Sequence, residues 1–149
     1  MKRIRLQIGI MAKLLVVFVV FCSCSSTQSI TTPPNVNFSN YRIAVIRGIQ
    51  LSGYTEAYYT EFQNSLLFCG YSVITEERIS ALNTTDQSSL MLVNVGVIAG
   101  TFSPHNVSVV ITDYLSGNLL VSCKRSSWSS SLLQLVREVI KDMEKVIKK

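Results

Sequence analysis

Histidine, net charge beyond the N-terminus and long apolar runs are all in short supply in this chain of 149 residues. The single histidine, His105, means that any Ser-His-Asp or Cys-His device is built around that one ring or does not exist. There is no Gly-x-Ser-x-Gly elbow, no Walker loop, no His-Glu-x-x-His pair and no paired-cysteine spacing of the kind that holds zinc. The sequence therefore gives no reason to expect a metal or another cofactor. The formal charge of +5 is also misleading, because four of the 14 basic residues, Lys2, Arg3, Arg5 and Lys13, lie before Cys24. From Cys24 onward ten basic residues face nine acidic ones, too even a balance for the clustered positive face that binds nucleic acid. The apolar run from Leu14 to Phe21 is far shorter than the roughly 20 residues that cross a bilayer, and extending it back to Ile8 takes in Lys13.

What stands at the N-terminus is a basic stretch, that short apolar run, and Phe21-Cys-Ser-Cys24 leading into a polar segment rich in Ser and Thr. This is the layout of an export signal, and it resembles a bacterial lipoprotein signal. Ser23 supplies the small residue before the acylated cysteine, while Phe21 replaces the usual aliphatic residue. The resemblance implies cleavage after residue 23, lipid on Cys24 and attachment to a membrane through that lipid. A membrane-spanning anchor and an ordinary cleaved signal are the two alternatives. Serine after Cys24 points by the same resemblance to the outer membrane facing the periplasm, with the inner membrane and the cell surface as alternatives.

Residues 24–40 are uncharged and contain Pro33-Pro34, so this segment is expected to be a flexible tether. Residues 41–149 are long enough for one domain with its own core. Tyr41–Arg47 is β-branched and closed by Gly48, a strand pattern. Tyr58, Phe62 and Leu66 form an i+4 stripe of a helix, widened by Ala57 and Leu67, and Gly70 ends it. Tyr71–Ile74 is a second strand and Thr75-Glu-Glu-Arg78 a helix start. Residues 88–94 suit a short helical turn, and Val95–Phe102 a strand covered on both faces. Two further strands, Val107–Thr112 and Leu119–Arg125, follow tight turns and complete an antiparallel meander. Leu132, Val136, Val139, Met143 and Val146, widened by Leu133, Ile140 and Ile147, mark a final amphipathic helix that lids the sheet or, alternatively, lies on a membrane.

The predicted class is α/β (α+β), with a mixed sheet of about five strands in the order β-α-β-(α)-β-β-β-α. With Gly70-Tyr-Ser-Val-Ile-Thr-Glu-Glu-Arg78, Val95-Gly-Val-Ile-Ala-Gly-Thr101 and Asp113-Tyr-Leu-Ser-Gly117 in that succession, the order resembles the α/β domain of the curli-secretion lipoprotein CsgG, the N-terminal domain of TolB and the lipoprotein LpoB. The resemblance implies a non-enzymatic binding, assembly or regulatory role in the cell envelope, with a protein partner or another copy of the chain. The turns are too short for the membrane-spanning hairpins of a CsgG-type pore. A small hydrolase and a structural spacer are the competing classes.

For contact with a partner the best residues are Tyr54, Tyr59 and Trp128, whose rings join a large apolar area to a polar tip. Cys69 and Cys123 are the two cysteines left in the folded part. They form a disulfide in an oxidising envelope, or Cys123 packs as a small apolar residue on one strand face with Val121 and Leu119. Asp113, ahead of a turn, is expected to hold that turn by accepting bonds from backbone amides, and His105 to be a solvated turn residue.

Overall fold

The structure is a computed structural model that describes residues 26–48 and 55–148. Cys24 and Tyr54 lie outside the described residues, as does the expected signal. Six strands form one mixed sheet in the order β1-β6-β5-β4-β2-β3: β1 Thr27–Thr31, β2 Ile43–Arg47, β3 Ser72–Ile74, β4 Leu90–Ile98, β5 His105–Asp113 and β6 Leu119–Ser127. The class is the predicted one, with β2 parallel to both β3 and β4 and the β4-β5-β6 meander antiparallel.

The sixth strand comes from the segment expected to be a tether. Thr27–Thr31 pairs antiparallel with β6, from Thr27 opposite Ser126 to Thr31 opposite Ser122, and Val36 and Phe38 then pack against the core. All five side chains of β1 are exposed, so its place is held by the backbone ladder alone. Side-chain patterning carries no signal for such a strand.

Helices α1 (Thr55–Phe68) and α3 (Leu132–Ile147) cover one face of the sheet. On α1 the predicted stripe is right, since Tyr58, Phe62 and Leu66 are buried. The expected widening is not, since Ala57 and Leu67 are exposed and Ser65 and Cys69 take the buried flank. Gly70 follows with φ of +88°, the left-handed conformation that lets the chain turn straight into β3. The other face is covered only over β2, β3 and β4, where Ile79 of a 3-10 helix (Glu76–Ala81) meets Val45 and Leu90. Over β5, β6 and β1 it presents Ser108, Ser122, Lys124 and Ser126, none of them buried.

Further boundaries differ from expectation for identifiable reasons. The helical turn is α2, Thr84–Ser88, capped by Asn83, and β4 starts at Leu90, because Leu90 to Asn94 pair with β2. A long partner strand recruited residues that read alone as a turn. At its other end Val95–Phe102 is not covered on both faces: Ile98 and Phe102 are 62% and 94% exposed. In β6 an irregularity opposite Ile111 and Thr112 turns Leu120 inward and leaves Leu119 at the surface.

On α3 the buried face is centred on Leu135, Val136, Val139, Met143 and Ile147, so Leu133, expected to widen it, stands partly exposed. Asp142 lies inside that face, and Arg125 of β6 explains it. The guanidinium Nε donates to Asp142 Oδ2 at 2.6 Å, and the other nitrogens reach Asp142 Oδ1 at 3.2 Å and Glu138 Oε2 at 2.9 Å. These contacts, the Asp142 bond foremost, push the arginine further above its ordinary value. Ser65 Oγ donates to Glu144 at 2.8 Å and Tyr71 Oη to the Ile147 carbonyl at 2.8 Å, so polar pins as well as apolar burial dock α3.

A polar cleft as candidate binding site

The strands define two ends. One is where β1 starts, β4 and β6 finish and β5 begins; at the other β1 finishes, β5 ends and β6 begins. A cleft of about 580 Å³ opens at the second end, between the 33–41 segment and the β5–β6 turn. Four asparagines, Asn35, Asn37, Asn40 and Asn118, line it with Val36 and Leu120. Local chemistry shapes each wall. Asn35 follows the two prolines with φ of +68°, which asparagine tolerates better than most residues. Asn37 Oδ1 accepts from the amide of Ser39 at 3.1 Å and its hydroxyl at 2.7 Å, closing the 3-10 turn Phe38–Asn40.

Asp113 ties the opposite wall. Its Oδ1 accepts from the amide and the hydroxyl of Ser116, both at 2.7 Å, and Oδ2 accepts from Tyr41 Oη at 3.1 Å. Gly117, at φ of +69°, returns its amide to the Asp113 carbonyl at 3.0 Å. Burial works to raise the Asp113 carboxyl, but the Ser116 hydroxyl and amide, the Tyr41 hydroxyl and the Leu115 amide outweigh it and hold the group below its ordinary value. Tyr41 is pushed up to about 12, first by burial and then by the carboxylate it bonds. Near neutral pH the pair is thus locked as phenol and carboxylate, and neither member exchanges a proton easily. Among the described residues no lysine, arginine or histidine lines the cleft. It can offer amide donors and acceptors, one satisfied carboxylate and a small apolar floor.

Of the residues singled out from sequence, only Asp113 is in this cleft, and it holds the turn as expected. Tyr59 is half-buried against the core. Trp128 is 61% exposed, but at the other end of the sheet. His105 is not a turn residue: it heads β5, and its Nδ1 accepts from the Gly100 amide at 3.1 Å. Cys69 and Cys123 are both free and buried, one after α1 and the other within β6, so the possible disulfide is not made. Burial first, and then the Asp142 carboxylate, push the Cys123 thiol up to about 11, and burial raises Cys69 as well. Among the described residues no three His, Cys, Asp or Glu side chains gather into a metal site. The asparagines went unnoticed because the uncharged stretch that carries three of them read as linker. Tyr41 read only as the start of a strand.

No family model matches the chain, and no curated protein matches it. Among solved structures it is similar to the PelC dodecamer subunit of Paraburkholderia phytofirmans, at 14% identity over 83% of this chain and 97% of that one, with a TM-score of 0.51. A variant of the same PelC gives 15% identity, 83% and 98% coverage, and a TM-score of 0.49. A PDZ domain protein of Parabacteroides distasonis gives 12% identity over 91% of this chain but 39% of its own, with a TM-score of 0.49. At such identities the first match shows a shared fold, and the other two carry no weight. Fold and cleft together define a mixed α/β domain with an amide-lined cleft at one end of its sheet.

Proposed function

We propose that the chain is an envelope lipoprotein, acylated at Cys24, that works without catalysis by holding a partner in the cleft at the far end of its sheet. The observation that carries this reading is the Tyr41–Asp113 pair. The ionisable groups of the cleft are fixed in states unsuited to proton transfer, while the amides around them are suited to neutral hydrogen-bonding surfaces. A peptide segment of another envelope protein meets that chemistry. Anchoring at one end and binding at the other raises the effective concentration of the contact, so a weak one suffices. A second copy of the chain is the other partner with support, because the PelC subunit that shares the fold forms a dodecamer. The likeness to CsgG, TolB and LpoB domains remains part of this proposal.

The test is photo-crosslinking in whole cells from Asn40, compared with the same chain carrying Asn118→Arg. We expect one envelope protein, or the chain itself, to be captured, and its capture to be lost when arginine fills the cleft while the melting temperature is unmoved. Turnover of an ester, peptide or glycan by the folded protein, abolished by Tyr41→Phe or Asp113→Asn, overturns the reading in favour of a hydrolase.

A further inference from the structure

Among the described residues, several large apolar side chains stand exposed at the end opposite the cleft. On one side the meander of β4, β5 and β6 runs past β2 there: β2 stops at Arg47, opposite Asn94, while β4 continues to Ile98. Those four extra residues extend the meander by roughly 13 Å at the usual strand rise. Its tip carries Ile98 at 62%, Phe102 at 94% and Trp128 at 61% exposure, with Leu133 in the first turn of α3 at 37%. The Gly100 amide, bonded to His105, fixes the β4–β5 connection on the strand that pairs with Ser127, beside Trp128. No Asp, Glu, Lys or Arg occurs in residues 98–106, 126–133 or 26–31, three of the segments at this end, and the Arg47–Glu76 ion pair lies on its β2–β3 side. Exposed large apolar groups are common singly, but grouped on a protruding, uncharged tip they mark a contact with something apolar.

The chain itself indicates what that is. β1 begins at this same end, with Thr27 opposite Ser126, and Cys24 lies three residues before Thr27. Three residues reach about 10 Å at most. Because β1 is locked into the sheet, no longer leash intervenes between Cys24 and the domain. A lipid on Cys24 therefore holds this end within about 10 Å of the bilayer surface.

We infer that the tip of the β4-β5-β6 meander, with Phe102 and Trp128 foremost, seats in the interfacial layer of the membrane and stands the strands upright on it. Tryptophan suits that layer because its ring is apolar and its N–H is polar, and interfacial groups bury about 5 to 10 Å deep. A second copy is disfavoured as the occupant, since an acyl chain so close beside the tip brings the bilayer to it first. This inference rests on acylation of Cys24.

Trp128 is the only tryptophan of the chain, so its fluorescence reports on this tip alone. The mature protein, purified from membranes, is reconstituted in vesicles of phosphatidylethanolamine and phosphatidylglycerol with or without brominated acyl chains. Intact mass is measured on the same sample. We expect Trp128 to emit to the blue of its value in water, to lose most of its intensity in brominated vesicles, and to be shielded from iodide. Phe102→Ser should weaken the quenching, whereas Leu115→Ser, at the cleft end, should not. An acylated chain whose Trp128 stays open to iodide and untouched by bromine overturns the inference and leaves the acylation standing. Emission shifted to the blue without bromine quenching, and growing with protein density, assigns the tip to a second copy and also overturns it. Bromine quenching in a chain whose mass shows no lipid upholds the seating of the tip and removes acylation from the account.

Discussion

The two ends of the sheet are built from the same kinds of strand but differ in what their loops carry. At the Trp128 end the β4–β5 connection and the stretch from β6 into α3 carry no formal charge, and Ile98, Phe102 and Trp128 are exposed; the Arg47–Glu76 ion pair of that end sits apart, on the β2–β3 side. At the cleft end apolar groups are also exposed, but they sit among polar and charged ones: Lys148 lies over the Phe68 ring at 5.0 Å, and Leu115 and Leu119 flank the Asp113 turn. The difference teaches that exposed apolar area alone does not identify a lipid contact. The absence of charge around it, and a chain segment that leads toward a membrane, are what separate the two cases.

For the ends to act together, α3 has to stay fixed on the sheet between them. Removing Arg125 should give the largest effect. Arg125→Ala leaves Asp142, 1% exposed, with only the solvent-exposed Lys145 at 3.5 Å as counter-ion, a loss on the order of 3 kcal/mol by chemical denaturation. Replacing both at once, as Arg125→Met with Asp142→Leu, should restore most of that stability. A double variant as unstable as the single one would mean that the pair matters for more than mutual compensation.

A smaller effect separates the ends by pH. Tyr41 and Tyr71 are each pushed up to about 12 and Cys123 to about 11, burial being the first cause in every case. These groups are neutral when protonated, so in the unfolded chain they lose their protons at lower pH than in the folded one. Their contribution is complete below about pH 9 and disappears as pH rises through the folded values. Melting temperature should therefore hold from neutrality to about pH 9 and fall between there and pH 12. Partner capture in the cleft should fail over the upper part of that range, as Tyr41 ionises beside Asp113. Tyr41→Phe should flatten part of the decline.

Much of the fold was legible because it rests on patterned burial. The Tyr58, Phe62 and Leu66 stripe, the closing Gly70 and the three-strand meander all follow from residue periodicity. What escaped rests on pairing that leaves no such pattern. β1 has no buried side chain, the first half of β4 depends on β2, and Asp142 makes sense on an apolar helix face only once Arg125 is seen across from it. The site was less legible. Trp128 stood out in the sequence as a contact residue and is exposed, but its place beside the start of β1 comes from Thr27 lying opposite Ser126, a register that sequence does not carry. The cleft draws its asparagines from two segments far apart in the chain.

The orientation of the domain on the membrane is tested most directly by measuring depth. Cys69 and Cys123 are buried and their thiols are pushed up, so a new surface cysteine will react selectively in the acylated chain. One fluorophore is placed through Thr101→Cys and, in a separate protein, one through Ser116→Cys. With the nine residues of β5 standing between them, the two positions are separated by roughly 27 Å along the strand. The account predicts that brominated lipid quenches the label at position 101, while the label at 116 stays in water, open to iodide. Equal exposure of both labels to water, or quenching at 116 in place of 101, would contradict it.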